Sequence, residues 1–493
     1  MTFELETAAN PENLKRVVIE PVTRVEGHGK VTLLLDEDNR IHQARFHIVE
    51  FRGFEKFIQG RPYTEVPVLV QRLCGICPVS HHLAASKAMD MIIGARLTPS
   101  AEKLRRLMHF GQILQSHALH FFYLASPDLL FGFDSDLARR NIAGVAAAYP
   151  DIARQGVALR KYGQEIIRLT AGKRVHGTGA IPGGVNKNLT LAERDLLLKD
   201  IGQMIAWSRD AVELIKKVYS ERTEFHNGFG YFRSSFMSLA REDGALDFYH
   251  GGLRARDEHG QDIFDHLDYS HYWDYVHEEV KPWSYMKFPF IRSRGREEGW
   301  YRVGPLARVN NCDFIPTPQA EAERRVFKEF DGGSATQATL AYHWTRMIEM
   351  LHCAEGIQEL LHDGDLLGDD LFSRGERSLR GVGVIEAPRG TLIHHYRINE
   401  DEQIVRANLI VSTTHNNQAM NEAVRQVALQ YLDGKELTEG LLNHIEVAIR
   451  AFDPCLSCAT HALGKMPLEV ELIDAEGKEI DRLVRNASGA CGV

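Results

Sequence analysis

Residues 72–82 read RLCGICPVSHH, and residues 452–461 read FDPCLSCATH. Each stretch holds a Cys-x-x-Cys turn, Cys74/Cys77 and Cys455/Cys458, whose two sulfurs come close enough to bind one metal ion. Together the turns supply four thiolates, soft ligands that favour zinc, copper(I), iron or nickel over magnesium or calcium. Zinc ribbons space their pairs by roughly 15–20 residues, whereas Cys77 and Cys455 lie 378 positions apart. A structural Cys₄ zinc site stays open as a reading, but zinc staples small folds, and this chain of 493 residues needs no staple. A redox dithiol also stays open, although neither pair sits in an evident βαβ context.

Length alone allows about three domains, at roughly 150 residues each. No low-complexity linker and no repeat divides the chain, however, so one large body is the simpler expectation. Hydrophobic residues make up 44% and charged residues 25%, close to globular averages, which excludes wholesale disorder. The 58 Lys+Arg against 67 Asp+Glu give a formal charge of −9, which argues against nucleic acid, whose binders carry a basic excess. Seven cysteines, odd in number and without a disulfide framework, fit a reducing compartment. The opening residues, MTFELETAANPENLKR, lack the apolar core of a secretory signal, and no stretch approaches 18 uncharged apolar residues. A cytoplasmic protein with no membrane partner is expected.

The fold class expected is mainly α with small β regions: long helices forming a central bundle, with peripheral β hairpins. Val17–Glu20, Lys30–Leu35 and Ile41–Val49 read as strands, the last two flanking a turn at Asp36–Asn39. Thr98-Pro99 opens a long amphipathic helix running to Ala125. The pair Thr190 and Glu193 forms a capping-box pattern before a second. Ser334–His362 reads as a third, with shorter helices at Ala419–Leu432 and Glu439–Arg450. Residues 225–303 read as an aromatic-rich excursion of short strands and loops. Residues 381–411 read as strands with a turn near Glu400-Asp401.

The flanks of the cysteine pairs narrow the reading. RxCGICxxxHH near one end with DPCxxCxxH near the other resembles the large, catalytic subunit of the [NiFe] hydrogenases. PVTRVEGHG at 21–29, FRGFEKFIQGR at 51–61, HGTGAIPGGVNKNL at 176–189 and EAPRGTLIHHY at 386–396 also match that family. LQSHALHFFYL, SPDLLFGFD and WSYMKFPF look most like the bidirectional, NAD(P)-linked branch. The resemblance spans residues 17–480 or so.

It implies a fold, a reaction and a set of residues. Cys74 and Cys455 would be terminal nickel ligands, with Cys77 and Cys458 bridging to an iron that carries CO and cyanide. Arg389, beside Pro388 in APRG, matches the arginine above the metals, where a guanidinium donates to cyanide. Heterolytic cleavage of H₂ needs a base and an exit for the proton. The carry-over gives Cys458 as the thiolate that takes the proton and Glu26 of RVEGH as the group that passes it on. Glu55 and His461 match a buried Mg²⁺ site. Asp453 is expected to orient Arg389 or the cysteine loop. Cys353 reads as core, His81 as a shaper of the metal surroundings, and the other members of the 81/82 and 394/395 histidine pairs as structural.

Two departures stand out. Ser116 occupies a position where some relatives carry Asp. Family precursors are also cut just after the His of DPCxxCxxH, so residues 1–461 read as one domain and 462–493 as an extension removed on maturation. That extension reads as a β-hairpin around Glu476-Gly477.

No NAD, flavin or iron–sulfur site is expected on this chain. The nearest approach to a dinucleotide fingerprint, HGTGAIPGG, has Pro182 where the third glycine belongs. Electrons must therefore leave through partners. The resemblance implies an iron–sulfur small subunit, with diaphorase subunits carrying FMN and NAD. It also implies a maturation endopeptidase and nickel-insertion proteins, and an exposed apolar face near the cysteine pairs. The alternatives are a complex I type relative, which lacks the four cysteines, and a zinc-stapled structural subunit.

Overall fold

The computed structural model describes residues 14–330 and 335–461, and the backbone of strands at 468–473, 479–485 and 491–492. Half of the chain is helix and 18% is strand. At the N-terminus, β1 (Lys15–Ile19), β2 (Gly29–Leu35) and β3 (Ile41–Ile48) form an antiparallel sheet. The turn at 36–40 closes on Asp36, whose carboxylate accepts the N–H groups of Asp38 and Arg40.

Five long helices make the body: α1 (Pro78–Ile92), α2 (Pro99–Leu119), α3 (Pro150–Ala171), α4 (Leu191–Glu221) and α5 (Ala341–His362). Thr98 caps α2 by accepting from Ala101 N, and Thr190 with Glu193 forms the full capping box of α4. The helix after Thr98 does not stay α-helical to Ala125. It widens into a π-turn at His120–Ala125 before a short helix at Ser126–Phe131. Helix α2 packs on α3 and α5, and α5 packs on α4. The third long helix starts at Ala341 rather than Ser334: residues 335–338 have no regular structure and 339–340 form a turn, while 331–334 lie outside the described residues.

The excursion at 225–303 carries a four-stranded sheet. Its order is β7 (Tyr301–Arg302), β4 (Ser235–Ala240), β5 (Gly252–Arg256), β6 (Asp262–Leu267). Residues 381–411 form an antiparallel sheet of β8 (Arg380–Ala387), β9 (Gly390–Ile398) and β10 (Ile404–Ile410). It has two turns, one at the expected Glu400-Asp401 and a tighter one at Pro388-Arg389. Shorter helices follow at Asn417–Val427, continued by a π-turn to Leu432, and at Glu439–Ala451. Strands Leu468–Ile473 and Glu479–Arg485 pair antiparallel, as the reading of the tail expects; the turn between them, 474–478, lies outside the described residues.

Sheet β8–β10 sits directly on α1 because two glycines let it. A Cβ at Gly383 would collide with Ala84 O and one at Gly381 with Ala88 O. Gly383→Ala is expected to push α1 off the sheet and destabilise the fold by about 1–3 kcal/mol, the usual cost of overpacking. A thermal melt reads this, and an unchanged Tm would contradict the close packing.

Burial also sets an acid limit. It holds the imidazoles of His47 and His415 down to about 3, and those of His82, His109 and His352 to about 4. Unfolded, each takes a proton near 6.5. Their folded pKa values are depressed, so the stability they contribute is full above pH 6.5. It is lost as pH falls toward 4, at up to about 1.4 kcal/mol per pH unit for each histidine. Thermal melts at pH 7 and pH 5 should differ by many degrees; equal Tm values would contradict this.

Candidate metal centre

The two ends of the chain meet at the cysteines. Cys77 caps the N-terminus of α1, with Pro78 at its first turn, so the first pair is set on a rigid helix. The second pair follows the Glu439–Ala451 helix in a loop clamped on both sides. Glu26 and Cys455 form a parallel β-bridge, with Leu456 N donating to Glu26 O at 2.9 Å. Across the loop, the N–H groups of Arg52 and Gly53 donate to Thr460 O at 3.1 and 3.3 Å. Buried Arg450 locks the preceding helix down by donating to Thr23 O and to Asp128, which also takes Arg24 at 2.6 Å.

All four sulfurs lie within 4.8 Å of one another, and all four cysteines are buried. Cys74 Sγ is 3.3 Å from Cys455 Sγ, and Cys77 Sγ is 3.7 Å from Cys458 Sγ. These spacings suit ligands of a common metal, whose sulfurs at bond lengths of about 2.3 Å sit about 3.8 Å apart. Hydrogen bonds from Cys455 and Cys458 hold the Cys77 thiol well below its ordinary range, whereas burial pushes those of Cys455 and Cys458 up. One pocket thus favours a first thiolate and resists the next ones. A multivalent cation removes that conflict, because bound thiols ionise outright. Among the described residues, this is the one cluster of three or more His, Cys, Asp or Glu placed to hold a metal.

Arg389 projects from the tight β8–β9 turn over the sulfurs. It is 3% exposed. Its Nε donates to Asp453 O at 2.5 Å and its Nη2 to Asp453 Oδ1 at 3.0 Å. Burial works against its charge, but Asp453 and the cysteine sulfurs outweigh it and raise the guanidinium well above its ordinary value. Asp453 therefore orients the arginine, as expected. Its own carboxyl is pushed up to about 6 by burial, against the pull of Arg389 and Arg346. Ser116 Oγ lies 3.5 Å from Arg389 Nη1, at the edge of hydrogen bonding. Where a carboxylate would pair, only a weak hydroxyl contact stands. A small cavity beside the sulfurs is lined by Cys77, Cys458, Pro388, Arg389, Leu392 and Ser412, among others.

The thiol in contact with Glu26 is not the expected one. The sequence reading routes the proton from Cys458 to Glu26, but the thiol against the carboxylate is Cys455, whose Sγ donates to Glu26 Oε2 at 3.0 Å. The β-bridge between residues 26 and 455 imposes this pairing. Cys458 Sγ instead points toward Leu73 O, at 3.8 Å.

Glu55 and His461 sit behind the pocket. Leu409 N donates to Glu55 Oε1 at 2.9 Å, and burial raises the Glu55 carboxyl. Phe54 packs edge-on against the His461 ring, whose Nε2 bonds to Cys458 O while its buried Nδ1 has no partner. The orphaned imidazole nitrogen is a donor atom that a bound cation would satisfy.

Local motifs did not reveal Thr413, which accepts the Cys455 N–H at 3.0 Å, or Ser412, which lines the cavity. Both sit on the short helix Ser412–His415 just after β10, and only the fold brings them near. Of the histidine pairs, His81 and His394 face each other at 3.1 Å and His394 bonds to Tyr396, while His82 bonds to Pro67 O and His395 stacks on Trp273. Cys353 is core, as expected, and Cys312 is buried likewise.

Comparisons with known proteins agree with this geometry. The nickel-dependent hydrogenase family model matches residues 52–131 and 238–461, and a HoxL-like model matches residues 16–51. The chain is 48% identical over 487 residues to the NAD-reducing hydrogenase HoxS subunit beta of Cupriavidus necator, covering 96% of this chain and all of that one. It is 41% identical to an F420-non-reducing hydrogenase chain of Methanothermobacter thermautotrophicus, over 95% of this chain and all of that one. A crystal structure of an NAD⁺-reducing [NiFe]-hydrogenase in the H₂-reduced state superposes with a TM-score of 0.89 at 58% identity, covering 91% of this chain and 99% of that one. A [NiFeSe]-hydrogenase from Dm. baculatum, at 22% identity and a TM-score of 0.73, shares the fold. With a family model matched over more than half its length and relatives this similar from end to end, the chain belongs to the nickel-dependent hydrogenases.

Proposed function

We propose that this chain is the catalytic subunit of a cytoplasmic, NAD(P)-linked [NiFe] hydrogenase that interconverts H₂ with protons and electrons. The observation that carries the reading is the buried four-sulfur cluster with a charged arginine on one side and a carboxylate on another. Cys74 and Cys455 would hold nickel, and Cys77 and Cys458 would bridge it to iron. When bound, the pair supplies the Lewis acidity and the redox capacity that heterolytic cleavage requires. The small cavity between Pro388, Ser412 and Arg389 suits diatomic CO and cyanide ligands, with the guanidinium as donor. Glu55 and His461 would hold Mg²⁺.

The protein's own groups handle the proton. Cys455 receives it at Sγ, and Glu26 Oε2, 3.0 Å away, takes it on. Arg389, fixed by two contacts to Asp453, holds positive charge over the sulfurs without moving. Preorganised charge of this kind costs no reorganisation during the reaction.

Electrons would leave through an iron–sulfur small subunit to diaphorase subunits with FMN and NAD. Supporting this are the likeness to the NAD-reducing C. necator relative and the exposed apolar side chains Val49, Phe51, Phe57 and Val68 on the segment leading to the first cysteine pair. Exposed apolar side chains of this kind suit burial in a permanent interface.

The reading includes removal of residues 462–493 by an endopeptidase once nickel-insertion proteins have loaded the site. The family match ends at residue 461. The 58% identical solved structure is covered almost entirely while spanning 91% of this chain, yet the C. necator sequence aligns over 96%. The complex purified with its partner subunits should reduce NAD⁺ with H₂, and its mass spectrum should show a chain ending at His461. No H₂ turnover at full nickel loading would overturn the function, and a full-length active chain would overturn the processing.

A further inference from the structure

Three exposed arginines stand side by side across the sheet β8–β10. Arg380 lies directly opposite Arg397, and Arg397 directly opposite Arg406. Residues paired in this way share a face of the sheet. Gly381 and Gly383 meet α1 on one side of β8, so Arg380 and its two neighbours stand on the other, away from the helix that carries the first cysteine pair. Adjacent strands lie about 5 Å apart, which sets three positive charges in a row about 10 Å long. Like charges directly opposite destabilise a sheet, so the row works against the fold unless something neutralises it.

Nothing in the described chain does. Among the described residues, none of the three guanidinium groups pairs with a carboxylate, and Arg380 rests on the Trp273 ring, 4.6 Å from its centroid. All three line one open cavity of about 970 Å³. The acid on its wall, Glu278, is held by Lys287 at 3.1 Å. A donor in the same wall also lacks an acceptor. Asn408 Nδ2 donates to the Tyr272 hydroxyl oxygen at 2.8 Å, which leaves that hydroxyl to donate to His395 Nδ1 at 3.3 Å. Burial lowers the His395 imidazole to about 4, so the neutral ring carries its proton at Nε2. That buried nitrogen has no partner.

We propose that this cavity binds a phosphorylated small molecule, with its phosphates on the row formed by Arg380, Arg397 and Arg406. The planar fork of a guanidinium matches phosphate oxygens two at a time. Three forks in a row suit a chain of two or three phosphates better than a single one. The volume lies at the upper end of the range for small-molecule sites, roughly 300–1,000 Å³, and leaves room for an organic body against Trp273, Tyr272 and His395. A recess of this size favours a small molecule over an acidic protein segment, which a flat row of arginines would serve as well.

Titration calorimetry with inorganic triphosphate at fixed ionic strength, on the nickel-loaded complex with its partner subunits, tests the site. One saturable site per copy of this chain is expected. Arg380→Gln and Arg397→Gln should each weaken binding about tenfold or more, the loss of one charge-assisted contact. Arg154→Gln, an exposed arginine on α3, should leave it unchanged. Citrate, run as a second arm, should bind more weakly than triphosphate, and equal or tighter citrate binding would overturn the choice of phosphate. Absence of saturable binding, wild-type affinity in Arg380→Gln and Arg397→Gln, or equal weakening in all three variants would overturn the site. So would looser subunit association in Arg397→Gln, which would place an acidic segment of a partner on the row instead.

Discussion

Cys455→Ala should leave the assembled protein without bound nickel and without hydrogenase activity, a loss of at least about three orders of magnitude, or about 4 kcal/mol of barrier. Cys455 occupies a junction. Its sulfur lies 3.3 Å from Cys74 Sγ and 2.7 Å from Cys458 Sγ, and it is the thiol in contact with Glu26. On the proposed reading, alanine removes a metal ligand and the first proton acceptor in one step. The fold should survive, because the loop is held by backbone bonds at Leu456 N, Cys455 N and Thr460 O, none of which needs the thiol. Nickel analysis beside a circular dichroism spectrum reads both parts. Retained nickel with retained turnover would show that Cys455 is not a ligand.

Glu26→Gln separates metal binding from proton movement. The amide keeps the shape of the carboxylate and can still accept from Ser457 N, so nickel should load normally. An amide cannot accept and release the proton, so turnover should fall by about 10²–10⁴, the usual contribution of a positioned acid–base group. Nickel-normalised H₂ oxidation is the readout. A rate close to wild type would send the proton out by another route.

Much of the site was legible because its chemistry admits few residue types. Four thiolates, an arginine in a Pro-Arg-Gly turn and a glutamate in RVEGH stand out against any background, and the structure gathers them around one pocket. Helix starts were equally readable where a side chain closes the first turn, as at Thr98 and at Thr190 with Glu193. Helix α1 was not read, although it carries the first cysteine pair. Fourteen of its fifteen residues are buried, so it shows no polar face and hence no amphipathic stripe. Helix α3 did carry a signal, with Pro150 at its first turn and Leu159, Tyr162, Ile166 and Ile167 on its buried side.

What no local pattern could show is which sulfur faces Glu26. That depends on a β-bridge between residues 26 and 455, a contact made only when the chain ends meet. The same holds for Ser412 and Thr413, which reach the pocket from the short helix after β10. It holds too for the buried charges that brace the body. Arg308 pairs with Glu349 at 2.6 Å and with Glu386 at 2.9 Å, and Arg105 pairs with Asp90 at 2.6 Å. In sequence these look like the polar faces of ordinary surface helices. Only their mutual pairing makes them tolerable inside.

Metal analysis of the matured, purified complex, read together with its infrared spectrum, tests the central claim most directly. The four-cysteine centre predicts nickel and iron near one each per chain, with CO and cyanide stretches from the iron. Zinc alone at the four cysteines, with no such stretches, would contradict it.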